Sequence, residues 1–187
     1  MRRFAAIMLA AAVTVPVSGG ANAQGVVVEK SEIRFVSRQM GVNVEGRFRK
    51  WKANVVFVPT DLGHSKAELD VDLASIDLAS DDSEGEVKGP LWFDTARFPV
   101  AHFASTAIRN TGPDRYDVAG KLSMKGITRD ATVPIVVRKD GSGTTIAEGT
   151  FNIKRLDYKI GEGEWADTQT VEDPVVVRVR MVLAPAK

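Results

Sequence analysis

Residues 90–106, PLWFDTARFPVAHFAST, contain the side-chain types that a hydrolase uses for catalysis. Asp94, His102 and Ser105 lie within a dozen positions of one another, among four large aromatic residues. A serine nucleophile needs its base within about 3 Å of the hydroxyl group. If residues 100–108 form a regular strand, successive side chains point to opposite faces, so His102 and Ser105 point apart. The spacing therefore argues against a catalytic dyad, and the chain has no G-x-S-x-G motif that would supply another nucleophile.

The sequence also gives little support for a metal site or for thiol catalysis. The two histidines, His64 and His102, are 38 positions apart, which makes a poor set of transition-metal ligands. The acids between Asp81 and Glu86 lack the spacing of a calcium-binding loop and suit the first turn of a solvated helix. Cysteine is absent, which excludes disulfide bonds and thiolate ligands. We therefore expect no catalytic residues, no metal and no cofactor.

The first 23 residues have the three parts of a secretory signal peptide. Arg2 and Arg3 form a basic start, residues 4–17 are almost wholly apolar, and Ala21-Asn22-Ala23 is an A-x-A cleavage signature. A membrane anchor is the competing interpretation, but the apolar run is shorter than the roughly 18 residues of a spanning helix and Pro16 interrupts it. The sequence predicts cleavage after Ala23, export to the periplasm, and a single mature domain over residues 24–187.

The charge balance argues against a nucleic-acid partner. The chain has 25 Lys and Arg against 24 Asp and Glu, a formal charge of +1. Removal of residues 1–23 takes away Arg2 and Arg3 and no acid, so 23 basic and 24 acidic residues leave a charge of −1. The sequence also lacks a basic patch with interleaved aromatic residues, which nucleic-acid recognition requires.

The mature chain alternates apolar and polar residues, as strands with one buried face do. Every second residue from Ala67 to Leu73 is apolar, and the same period recurs over 116–122 and 175–183. Further β-rich runs are 33–36, 42–48, 51–58, 100–108, 132–137 and 144–153, with turn sequences at 59–63, 110–114 and 139–143. From Asp81 to Arg97 acids precede bases without alternation, which predicts short helical turns outside the sheet, divided at Gly89-Pro90.

These patterns predict an all-β fold of about eight mostly antiparallel strands. Such strands can close into a barrel or pack as a sandwich, and periodicity does not choose between them. Trp92, Phe93, Phe98 and Phe103 crowd where the irregular segment meets a strand. They suit either a plug over a cavity or the sealed end of a packed core, because an apolar face has the same sequence in both cases. Trp165, in a glycine-rich acidic loop, either folds back over a barrel end or contacts a membrane or partner.

Three ordered sequence blocks resemble one known family. GRFRKW (46–51), WFDTARFP followed by FAST (92–106), and GKLSMKGITRDATV (120–133) are similar in order and spacing to the YceI-like, polyisoprenoid-binding family. The resemblance spans most of the mature chain and implies an exported, lipocalin-like antiparallel β-barrel with a helical segment near residues 81–97. It also implies a long apolar ligand inside the barrel and no catalytic residues. The chain departs from many members at 38–41 and 86–88, where they carry a histidine and a His-Leu-Arg run.

The resemblance and the alternation together predict a ligand site on the apolar inner face. The candidate ligand-binding residues are Phe35, Phe48, Trp51, Leu69, Val71, Trp92, Phe93, Phe98, Phe103, Val118, Leu122, Phe151, Val177, Val179 and Met181. The expected ligand is an amphiphilic lipid with an isoprenoid, quinone or fatty chain, carried or stored, with transient contact to a membrane or membrane protein. The alternatives are an accessory or stress-response protein that acts through its outer surface, with a packed interior, and an isoprenoid-modifying enzyme. The sequence leaves the oligomeric state open, a homodimer included.

Overall fold

A single antiparallel sheet forms most of the structure, a computed structural model that describes residues 25–185. Its ten strands follow the order β3-β4-β6-β7-β8-β9-β10-β1-β2-β5 and curl into a half-barrel. The strands are β1 (Glu32–Gln39), β2 (Val42–Phe48), β3 (Trp51–Val56), β4 (Lys66–Asp72), β5 (Ile76–Asp77), β6 (Val100–Gly112), β7 (Arg115–Met124), β8 (Ile127–Lys139), β9 (Thr145–Lys154) and β10 (Pro174–Leu183). The predicted all-β antiparallel fold is therefore confirmed, with two strands more than the eight expected.

Three connections between strands lie where the turn sequences predicted them. Residues 59–63 join β3 to β4, residues 110–114 lie at the β6–β7 hairpin, and residues 139–143 at the β8–β9 hairpin. The sheet order places β3 at one edge and β5 at the other. β2 and β3 follow each other in the chain, yet β2 pairs with β1 and β5 while β3 pairs with β4. The sheet is therefore open between its two edge strands, β3 and β5, and its curvature encloses the inner face.

One α-helix, α1 (Asp81–Lys88), follows β5, as the acidic-to-basic gradient predicted. The Ser80 hydroxyl accepts a hydrogen bond from the Ser83 amide, and acids in the first turn face the positive end of the helix dipole. The helix ends at Gly89, the predicted division, and turns follow to residue 97. Only one face of α1 approaches the protein, because its sequence, DDSEGEVK, has a single large apolar residue.

An ion-pair cluster fixes the corner where β5 leaves β2. Asp77 is buried and accepts hydrogen bonds from the Arg47 and Arg49 guanidinium groups at 2.7 and 2.9 Å. The Arg49 and Arg47 hydrogen bonds hold the pKa of the Asp77 carboxyl far below its ordinary value, because they stabilise its charged form. This cluster anchors the chain immediately before α1.

A cluster of buried apolar residues links the sheet to the segments that follow α1 and β9. Its fully buried members are Ile33, Val71, Leu73, Ala101, Met124, Tyr158 and Ile160. Trp92, Phe93 and Trp51 pack against this cluster, so the segments around residues 90 and 160 are joined to the sheet through it. Other residues of the inner face that are buried include Tyr116, Val133, Val137 and Leu183.

Candidate ligand-binding cavity

A cavity of about 670 Å³ occupies the interior of the curled sheet. Strand β10 illustrates how the wall is built: Val175, Val177, Val179 and Met181 line the cavity, whereas Arg178 lies outside. This is the alternation read from the sequence, because successive side chains of a strand point to opposite faces. The sequence left open whether the interior is hollow or packed, and the structure has a hollow interior.

Several inward-facing side chains in mid-strand positions border the cavity. Phe103, Phe151, Val177 and Val179 point inward, yet each remains only partly buried. In a packed interior, large apolar residues at such positions are the ones most often fully buried. Their residual exposure is to the cavity.

Most of the predicted ligand-binding residues lie in the cavity wall. The thirteen that do are Phe35, Phe48, Leu69, Val71, Trp92, Phe93, Phe103, Val118, Leu122, Phe151, Val177, Val179 and Met181. Trp51 and Phe98, the other two predicted ligand-binding residues, lie outside this wall. Trp51 shares the inward face of β3, but at the strand end, where it packs against the buried cluster. Phe98 lies in a turn, with the Arg97 guanidinium 5.1 Å from its ring centroid.

Glycine in the wall allows an aromatic ring to lie flat against the sheet. Phe35 on β1 pairs in register with Gly46 on β2, and a Cβ atom at position 46 would collide with the Phe35 ring. The same Cβ would lie 2.8 Å from a Leu78 methyl group. Since both obstructing groups are side chains, Gly46 acts by keeping the Phe35 ring out of the bore. The first resemblance block, GRFRKW, begins with this glycine.

Gly46→Ala should therefore narrow the cavity. We expect the Phe35 ring to be displaced toward the bore, at a cost of about 1–3 kcal/mol in folding stability from overpacking. Affinity for a branched isoprenoid chain should fall more than affinity for a straight alkyl chain, as measured by displacement of a fluorescent lipid probe. The double variant Gly46→Ala with Phe35→Leu should restore branched-chain binding. Unchanged affinities in the single variant would show that Gly46 does not set the width of the bore.

A fully buried arginine supports one end of the cavity. Arg155 is only 2% exposed and lies in the cavity wall. All five of its N–H groups donate hydrogen bonds to backbone carbonyls, those of Glu172 at 3.1 Å, Ile160 and Gly161 at 2.9 Å, and Trp165 and Val171 at 2.7 Å. Burial lowers the pKa of this guanidinium from its ordinary value, because desolvation disfavours the charge. Arg155 thereby ties residues 160–172 together behind the cavity.

Two tryptophans cover the same end. The ring centroids of Trp92 and Trp165 are 5.5 Å apart, and the Arg155 guanidinium lies 5.9 Å from the Trp92 ring. The Trp165 indole Nε1 donates a 3.0 Å hydrogen bond to Glu86 of α1. Trp165 lines the cavity, so it folds back over the barrel end, as one of the two interpretations of its loop had it. Arg155 had no such sequence signal, because its partners are all backbone atoms.

Polar residues mark where the cavity meets solvent. They come from the end of β1 (Ser37 and Gln39) and from α1 (Asp82, Ser83 and Glu86), and the helix residues are exposed. The wall is otherwise dominated by aliphatic and aromatic side chains. Such a concave apolar site with a few polar groups at one place is typical of a small-molecule binding site.

The cluster that resembled a hydrolase site does not assemble. His102 points outward and its Nδ1 lies 2.6 Å from a carboxylate oxygen of Asp70, whereas the Ser105 hydroxyl accepts a hydrogen bond from the Ala67 amide at 2.9 Å. Asp94 forms a 3.3 Å ion pair with Arg97. Strand β6 has an irregularity just after Ser105, but it does not bring the serine to the histidine. Each of the three groups therefore has its own structural partner.

Two further features of residues 25–185 bear on the kind of site. The described residues form no group of three or more His, Asp or Glu side chains that could hold a metal ion. Within the same range there is no helix with the length and hydropathy that crossing a bilayer demands. The predicted signal peptide, residues 1–23, lies outside the described residues, so its cleavage stays a prediction.

Comparison with known proteins identifies the family. The sequence model of the YceI-like domain matches residues 26–183. The chain belongs to the YceI-like family. A UPF0312 protein of Azotobacter vinelandii is 27% identical over 165 residues, which are 83% of this chain and 86% of that protein. The predicted resemblance is thus confirmed over nearly the whole described region.

Solved structures place the YceI-like fold in context. BcnA of Burkholderia cenocepacia is 38% identical in sequence and superposes with a TM-score of 0.83, covering 86% of this chain and 100% of BcnA. A polyisoprenoid binding domain from Saccharophagus degradans superposes with a TM-score of 0.69 at 18% identity, covering 88% of this chain and 98% of that domain. The second likeness shows the fold alone.

Proposed function

We propose that this YceI-like protein is an exported, non-catalytic lipid carrier or storage protein. The apolar cavity of about 670 Å³ is the observation that carries the proposal. In this role the bore holds a long isoprenoid, quinone or fatty chain, and the polar rim near α1 lies closest to its head group. The alternative of an accessory protein acting only through its outer surface leaves the hollow interior without a use.

The size of the cavity suits a chain of moderate length. A volume of about 670 Å³ holds on the order of twenty groups at roughly 30 Å³ each, the share of a water molecule in liquid. Twenty carbons correspond to four isoprenoid units. Burial of hydrocarbon contributes about 0.8 kcal/mol for each CH₂ group, so such a chain has a gross transfer free energy above roughly 10 kcal/mol. Ordering the chain offsets part of this gain, yet binding requires no ion pair.

Mass spectrometry of the protein and its organic extract tests the proposal. The protein should be purified from its native host without detergent, so that a bound lipid is retained. We expect about one prenyl or acyl lipid per protein molecule in the extract. The intact mass should be that of a chain whose first residue is Gln24. In vitro, the affinity of prenyl alcohols should rise with chain length up to about twenty carbons and then level off. A protein free of lipid that also fails to bind any chain in the series would contradict the carrier role.

A further inference from the structure

The indole N–H of Trp92 lacks a hydrogen-bond acceptor. Trp92 lies in the cavity wall, and its Nε1 atom is buried without a partner among the described residues. By contrast, the neighbouring Trp165 places its Nε1 at 3.0 Å from Glu86. A buried donor without an acceptor costs about 1–3 kcal/mol, so such a group in a native protein calls for an explanation. Because Nε1 has no surface open to the cavity, a ligand oxygen can become its acceptor only after the Trp92 ring rotates toward the cavity.

The charged side chains of the wall restrict what that ligand can be. Arg155 faces inward and donates all its N–H groups to backbone carbonyls, whereas Arg34 pairs in register with Arg178 and therefore lies on the outer face of β1. The acids at the mouth of the cavity are Asp82 and Glu86 of α1, whereas Glu68 alternates with the inward-facing Leu69 and lies on the outer face of β4. A carboxylate or phosphate head group would therefore meet negative charge and no available guanidinium. An uncharged oxygen avoids that repulsion and still accepts a hydrogen bond.

We propose that the Trp92 end of the cavity is a subsite for an uncharged head group that carries an acceptor oxygen. Ketone, ether and hydroxyl oxygens have this chemistry, whereas carboxylate and diphosphate heads on the same chain are disfavoured. The inference rests on the proposed lipid-binding function and narrows it to neutral amphiphiles. Trp92 selects through its N–H group, and Asp82 and Glu86 select through their charge.

Competition binding with three probes of equal chain length tests the subsite. The probes are geranylgeraniol, geranylgeranyl diphosphate and phytane, a hydrocarbon without oxygen, each displacing a fluorescent lipid. Trp92→Phe removes the N–H group and should weaken geranylgeraniol about fivefold, while the affinity of phytane changes much less. Trp51→Phe is the matched control, since Trp51 lies outside the wall, and should leave the ratio between the two probes unchanged. Equal loss for both probes in Trp92→Phe would overturn the role of the N–H group.

The selection by charge has its own variant. Asp82→Asn with Glu86→Gln keeps the acceptor for the Trp165 indole but removes two negative charges from the rim. The affinity of the diphosphate should rise several-fold relative to that of geranylgeraniol in the same variant. Because both acids are exposed, the gain should shrink at high salt. A diphosphate that binds the unaltered protein as tightly as the alcohol, or gains nothing in the double variant, would contradict the selection.

Indole resonances in a ¹⁵N–¹H spectrum report on the contact without relying on a destabilised variant. The chain has three tryptophans, and two Trp→Phe variants suffice to assign their side-chain signals. The Trp92 signal should move when geranylgeraniol binds and move far less with phytane, whereas the Trp51 signal stays in place. A Trp92 signal that responds equally to both probes would refute the subsite alone. Failure of all three probes to bind would instead refute the lipid-binding function on which it rests.

Discussion

Val179→Asp should cost several kcal/mol of folding stability and empty the cavity of lipid. Val179 lies on the inner face of β10, opposite Ile33 of β1 and Gly149 of β9, and lines the cavity. An ionised carboxylate among apolar side chains loses its hydration, which costs far more than the loss of a methyl contact. The chain can respond by unfolding or by drawing water into the bore. Either response removes the environment that holds a hydrocarbon chain.

Thr150→Asp is the matched control for this variant. Thr150 is exposed on β9 and pairs with Arg178, an outward-facing residue of β10. The same carboxylate on the outer face should leave the melting temperature within a few degrees and the extractable lipid unchanged. Thermal unfolding and mass spectrometry of the organic extract measure both quantities. Wild-type stability and lipid content in Val179→Asp would mean that this face of β10 does not border the lipid.

Arg155→Met should lower the free energy of unfolding by about 3–5 kcal/mol, because a buried carbonyl that loses its donor costs about 1–3 kcal/mol and several carbonyls are affected. Methionine retains much of the side-chain volume but none of the five donors that satisfy five backbone carbonyls. Each carbonyl left without a donor in a buried place adds to the cost. Arg155→Lys keeps the charge and has three N–H donors. Its free energy of unfolding should therefore lie between those of the wild type and Arg155→Met. Urea denaturation of the three proteins gives the order.

The loss in Arg155→Met should be concentrated in residues 160–172. Hydrogen exchange in this segment should accelerate more than in β7 or β8, because the guanidinium is what joins the carbonyls of the segment. Arg178→Met removes an exposed arginine from β10 and should change the unfolding free energy by less than about 0.5 kcal/mol. If Arg155→Met behaves like Arg178→Met, the five hydrogen bonds do not hold the segment.

Alternation was sufficient to predict which face of each strand points inward. Leu69, Val118 and Val179 were assigned from a period of two, and all three line the cavity. The two-residue period shows to which face a side chain points, but it does not show whether that residue lies beside the cavity or at the end of the strand. The Trp51 side chain points inward, but Trp51 is at the end of β3, where it packs against the buried cluster and not beside the cavity. The helical segment was predictable for a different reason, since its acids and its glycine match the two ends of a helix dipole and cap.

Arg155 and the hollow interior were beyond the reach of sequence patterns. A buried arginine is normally inferred from a carboxylate partner, and this one bonds only to carbonyls, which every residue has. An inner face of valines and phenylalanines has the same sequence whether it touches other side chains or a void. A glycine paired with an aromatic residue across strands, as with Gly46 and Phe35, shows where a ring lies flat against the sheet. Recognising that pair required the register, which the sequence does not state.

The pairing of β1 with β10 has a consequence for the timing of folding. The first strand of the sheet forms one of its two ladders with the last strand, through register pairs that run from Glu32 with Arg180 to Val36 with Val176. During synthesis β1 lacks that neighbour until residues 174–183 have been translated. Contacts between segments so distant in the chain form slowly, because a long loop must close first. The apolar inner face of β1 therefore stays incompletely covered until β10 has been synthesised and can pair with it.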